Sequence, residues 1–120
     1  QKLSTCEYVC DVGGIYDPKI KRFDHHQSNY QGSYSSAGMV LKYLKEEKVI
    51  DEKLYRYLNR SLIMGVDAID NGKATPMVGH SSFSSVIANF VPVRHDADPQ
   101  VFQGAFLQAL DFCIGHLKRL

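Results

Sequence analysis

The chain has 120 residues, 44% of them hydrophobic, enough to bury one core but not two, so one domain or most of one is expected. With 14 basic and 13 acidic residues its formal net charge is +1, which leaves no long-range field for nucleic acid or membrane; a polyanionic substrate would need local charge. No apolar run approaches membrane-spanning length, and Cys6, Cys10 and Cys113 are an odd set without a signal-like start, so a reducing cytoplasmic compartment is expected, or an organelle in a eukaryote. Because the chain begins at Gln1 and leads straight into an apolar run, it is expected to be a piece of a longer protein.

The first predicted element is a short buried strand, Tyr8-Val9-Cys10, followed by Asp11-Val12-Gly13-Gly14. That puts Asp11 at a strand's C-terminal edge, where open α/β sheets hold their ligands, although an aspartate before two glycines also caps a turn. Cys6 and Cys10 flank the strand and are expected to be buried rather than to hold zinc. Tyr16-Asp17-Pro18-Lys19 is a turn signal, and Lys21-Arg22-Phe23 resumes an extended run before Asp24. Residues 12 to 24 are 13 in all, near the minimum for a parallel crossover, so a hairpin is expected to bring Asp11 and His25 together.

Ser35 or Ser36 caps a predicted helix whose stripe is Ala37, Val40, Leu41 and Leu44, and its free N–H groups could face an anion. Asp51 caps the next helix, with Leu54, Leu58, Leu62, Val66 and Ile69 on one face and a stop at Asn71-Gly72. Asp67 and Asp70 then share a face near that helix's negative end, an unfavourable place for two carboxylates unless something positive offsets them. After the loop at 73–81, a short helix is expected from Ser82 to Phe90. Asp98 and Pro99 start a last helix whose stripe, Phe102 to Leu117, serves core or partner packing.

The stretch "RFDHHQ", residues 22–27, is either a polar loop or a metal site. Alone, the histidine pair favours the loop. The aspartates at a strand end and a helix end shift the balance, since Asp11, Asp24, His25, His26, Asp67 and Asp70 together suit a hard or borderline divalent cation such as manganese or magnesium.

The four motifs "DVGG", "RFDHHQ", "SSAG" and "GVDAIDNG", in order over about residues 6 to 92, resemble the melanocyte proliferating gene 1 family. That family is a branch of the DHH phosphoesterase superfamily, which also holds RecJ-type nucleases and manganese-dependent family II pyrophosphatases. The resemblance implies an α/β fold with a doubly wound, mainly parallel sheet: residues 1–95 would be a partial DHH-type domain, and 96–120 a helix that completes it or leads into another. It implies two divalent ions in the full-length protein, manganese first and magnesium second. Asp11 would bridge them, His25 would be the imidazole ligand with Asp24 orienting it, and Asp67, ahead of Asp70, would be the last metal aspartate. His26 would face the substrate phosphate. Apart from the resemblance, Ser36 at the predicted helix start and His80 in the 73–81 loop are the further residues that could reach a phosphate, although His80 reads first as a plain loop histidine. The implied activity is 3′-to-5′ exonuclease action on RNA or oligonucleotides through two metals and a hydroxide. Alternatives are hydrolysis of pyrophosphate or a small nucleotide, and a catalytically dead domain that binds phosphate or a partner. No membrane partner is implied, and a homo-oligomer is allowed. The family's upstream motif, His-x-Gly-x-Phe-His-x-Asp-Glu, is not among these residues, so the piece alone is expected to be inactive or a weak one-metal binder.

Overall fold

Three two-residue strands form where apolar or aromatic residues alternate between turns: β1 at Val9–Cys10, β2 at Tyr16–Asp17 and β3 at Arg22–Phe23. They belong to a computed structural model that describes residues 2–120 and falls into two units, one ending at Thr75 and one running Pro76–Leu120. The first unit is mixed α/β. Its sheet has the order β1-β3-β2, with β3 in the middle, parallel to β1 and antiparallel to β2.

This corrects the expected hairpin between Asp11 and His25. β1 and β3 run parallel, and the hairpin partner of β3 is β2. So short a crossover closes because Asp11, Gly13, Gly14 and Lys21 all take left-handed backbone, with φ of 65°, 94°, 71° and 57°, which reverses the chain twice within a few residues.

α1 (Ser36–Glu46) packs on β3, and Val9, Phe23, Met39 and Leu41 are the buried apolar core. Tyr43 meets the Phe23 ring edge-on at 5.3 Å between centroids. The deepest helical residue is Met39, which the predicted stripe omits. Cys6 and Cys10 are exposed, against expectation; Cys10 points away from the core because side chains alternate along a strand and Val9 takes the inward place.

The expected helix from Asp51 to Asn71 is present, with Asp51 accepting from the Leu54 N–H, but it is interrupted. α2 (Glu52–Leu58) passes through a π-helical turn at Asn59–Ile63 into α3 (Met64–Asp70). A π turn holds an extra residue and rotates the helix beyond it by roughly 100° relative to an unbroken α-helix. Asp67 is buried in α3, and its Oδ1 accepts from the Ser35 N–H at 2.9 Å, the Ser35 hydroxyl at 2.7 Å and the Gly38 N–H at 3.1 Å. The carboxylate of one helix's C-terminal turn thus caps the N-terminus of another. The positive end of α1 supplies the offset that a carboxylate in this position needs.

In the second unit, α4 (Phe83–Ala88) is capped by Ser82, and α5 (Pro99–Arg119) by Asp98 with Pro99 in the first turn. Phe83 and Phe90 lie against Phe112 of α5. The α5 stripe is not core here, for no residue of that helix is buried: six residues of α4 cannot cover twenty-one of α5. No helix among the described residues is long and apolar enough to cross a membrane.

A Cβ added at Gly38 would lie 2.6 Å from Asp67 Oδ1, whereas one at Gly65 on α3 meets nothing within 4 Å. Gly38→Ala should therefore destabilise the chain by about 1–3 kcal/mol in urea unfolding. Gly65→Ala should stabilise it by roughly 0.5–1 kcal/mol.

Candidate metal centre

Asp24 follows β3 directly, is buried, and is surrounded by donors. Its Oδ2 accepts from the Gly14 N–H at 2.7 Å, and its Oδ1 from the His25 N–H at 2.9 Å, the His26 N–H at 3.3 Å and the His26 ring Nδ1 at 2.7 Å. Burial pushes its pKa up, but the bonds from Gly14, His26 and His25 outweigh it and hold the carboxyl below the usual range. Gly14 presents its N–H from a backbone at φ 71°, which glycine adopts without the strain a side chain would bring.

His25 is packed between β3 and the end of α3. Its Nδ1 lies 2.9 Å from Asn71 Oδ1, while its Nε2 stands 3.3 Å from Asp11 Oδ1 and 3.3 Å from Asp70 Oδ2. That Nε2 is buried and has no hydrogen-bond partner. With the Nδ1 proton given to Asn71, the lone pair of a neutral imidazole faces two carboxylate oxygens, an arrangement that repels itself unless a metal cation or a second ring proton lies among them. His26 stacks beside, 4.3 Å between ring centroids, with Nδ1 3.9 Å from Asp11 Oδ1 and a side chain 59% exposed. Asp11, His25 and His26 offer ligand atoms all within 4.8 Å of one another. The donor set, carboxylate oxygen and imidazole nitrogen without thiolate, fits manganese or magnesium better than a thiophilic ion.

The structure thus brings together Asp11, Asp24, His25, His26 and Asp70. Ser36 is close by but buried: its hydroxyl donates to the Phe23 carbonyl at 2.6 Å and lies 3.3 Å from Asp11 Oδ1. Asp67 is placed apart from the cluster. Of the two helical aspartates it is Asp70 that faces His25, because Asp67 is engaged by α1. Asp24 bonds the ring of His26 and only the main chain of His25; the partner of the His25 ring is Asn71. In the sequence Asn71 carries only a turn signature, and its place one residue after Asp70 is the one hint available there. His80 belongs to the second unit, where its N–H closes a turn on the Met77 carbonyl. Lys21, a sequence neighbour of the motif, pairs with Glu7 at 3.1 Å.

The profile of the MYG1 exonuclease family, described as uncharacterised protein family UPF0160, matches residues 1–120. A MYG1 protein of Chlamydia pneumoniae is 49% identical over 98% of the chain, and one of Chlamydia trachomatis 48% identical over all of it. The human protein named MYG1 exonuclease is 28% identical over 93% of the chain. In each case the chain spans 40% of the relative's length. No solved structure matches the chain.

The two helical aspartates should part in experiment. Asp70→Ala should weaken manganese binding in calorimetry by at least roughly tenfold with little change in stability, whereas Asp67→Ala, which strands three buried donors, should lower stability by about 1–3 kcal/mol. Asp24, its pKa depressed on folding, contributes stability that is fully present above the ordinary carboxylate range and is lost as pH falls through its folded value. Acid unfolding measured by circular dichroism should therefore depend less steeply on pH in Asp24→Asn.

Proposed function

The chain belongs to the MYG1 exonuclease family (UPF0160), and on that premise we propose that it forms part of a metal-dependent phosphodiester hydrolase, a 3′-to-5′ exonuclease acting on RNA or oligonucleotides. The observation that carries the reading is the buried, unpartnered His25 Nε2 set between the Asp11 and Asp70 carboxylates. Those three residues would hold a divalent ion, manganese before magnesium, and a second ion would need ligands beyond them. In the finer form of the proposal, the small sheet belongs to a doubly wound DHH-type domain. The name exonuclease on mammalian relatives of more than twice this length supports a nuclease over a pyrophosphatase.

When bound, the cation would supply Lewis acidity toward a phosphoryl oxygen and acidify water. The protein's own contribution begins with Asp11, which the left-handed turn after β1 aims at His25. His26 is the proton-transfer residue in this reading. Asp24 accepts from its Nδ1, so the outer nitrogen is left to exchange a proton with a phosphoryl or leaving oxygen. The same hydrogen bond raises the His26 pKa above its ordinary value. Asp24 in turn is kept ionised by the donors around it and cannot take that proton easily.

The test is cleavage of a short 5′-labelled RNA by the full-length protein with manganese, beside a chelated control and a pyrophosphate assay. His26→Gln should reduce kcat for RNA by about 10²–10⁴-fold while leaving manganese affinity within a few fold. Faster turnover of pyrophosphate than of RNA would move the assignment to small phosphoanhydrides. Manganese binding without turnover of either would make this a binding domain.

A further inference from the structure

We infer that Asn71 is the positioning residue of the centre: it selects the His25 tautomer that leaves Nε2 free for a cation. The inference rests on the proposed metal site, but a separate chain of hydrogen bonds carries it.

The Ser33 carbonyl is a group with no choice: it can only accept, and the Asn71 side chain approaches it at 3.2 Å through Nδ2, which can only donate. That contact decides which way the amide points. The other end of the same amide, Oδ1, can only accept, and it faces His25 Nδ1 at 2.9 Å. The His25 Nδ1 must therefore carry the proton, and in the neutral ring the lone pair falls on Nε2, the atom that faces Asp11 and Asp70.

A residue here needs an acceptor for the ring and a donor for the carbonyl on one short, planar group. Asparagine has both. Aspartate would keep the acceptor but set a second oxygen against Ser33, and leucine would keep neither. Asn71 is also the C-cap of α3, its own N–H bonded to the Asp67 carbonyl at 3.0 Å, and Asp67 is held by α1. The amide is therefore fixed at its root as well as at both polar ends. Ring orientation and tautomer of a metal-binding histidine are commonly set by such a partner on the far nitrogen.

The experiment reads the tautomer directly. Histidine labelled with ¹⁵N in the metal-free full-length protein, at a pH where the ring is neutral, reports in long-range ¹H–¹⁵N spectra which His25 nitrogen bears the proton. Manganese affinity is measured alongside by calorimetry, for wild type, Asn71→Leu and Asn71→Asp. Wild type should show His25 protonated at Nδ1. Asn71→Leu should shift it toward the Nε2-protonated form and weaken manganese binding by about 10–100-fold, with the His26 signals unmoved. Asn71→Asp should restore the Nδ1 proton while lowering thermal stability through the lost bond to Ser33. An Nε2–H signal for His25 in wild type overturns the inference without recourse to any variant. So does an Asn71→Leu protein whose tautomer and affinity match wild type. A full-length wild-type protein with the expected tautomer and no manganese binding would uphold the assignment of the proton and overturn the metal reading instead.

Discussion

The arrangement depends on one buried carboxylate. Asp67, on the last turn of α3, is anchored to the first turn of α1 by two backbone N–H groups and a hydroxyl. Because α1 also packs on β3, this contact ties the helix end that carries Asp70 and Asn71 to the strand end that carries Asp24 and His25. Gly38 is part of the same constraint, since a side chain there would occupy the space of the carboxylate. Had the last turn of α3 been free to fray, neither partner of His25 would have a defined place.

The four aspartates that the motifs supply divide by their number of donors. Asp24 and Asp67 are buried and surrounded by N–H and O–H groups, so their lone pairs are already taken up by hydrogen bonds and they act as braces. Asp11 and Asp70 have side chains about half exposed, at 59% and 46%, and each sets an oxygen against the unpartnered nitrogen of His25. A carboxylate with its lone pairs taken contributes rigidity; one with lone pairs to spare contributes affinity for a cation. The same residue type thus occurs in two settings within one unit, and the environment alone distinguishes them.

Backbone strain has a comparable role. Asp11 adopts a left-handed conformation that aspartate tolerates better than most side chains, and it does so at the turn out of β1. Together with Gly13 and Gly14 this turn both directs the Asp11 carboxylate toward His25 and delivers the Gly14 N–H to Asp24. One local reversal thereby positions a candidate ligand and a brace at once, and it lets the parallel crossover stay short.

The sequence by itself determined the elements that rest on local chemistry. Asp51, Ser82 and Asp98 cap helices where their side chains reach the next turn's N–H groups, Asn71-Gly72 ends α3, and Asp11 sits at a strand end. It also suggested an oxygen and nitrogen donor set, because that inference needs only residue types and approximate spacing; of that set, Asp11, His25 and His26 stand close enough together that they could hold one ion. What only the tertiary structure decided was which member of each pair does what. Asp67 and Asp70 look alike as two aspartates three residues apart, but the π turn at Asn59–Ile63 and the N-terminus of α1 send one to a cap and the other to His25. The parallel register of β1 on β3 and the grip of Asn71 on the His25 ring likewise join residues far apart in the chain. Hydrogen-bond partners of that kind arise from three-dimensional proximity, and periodicity along one segment carries no information about them.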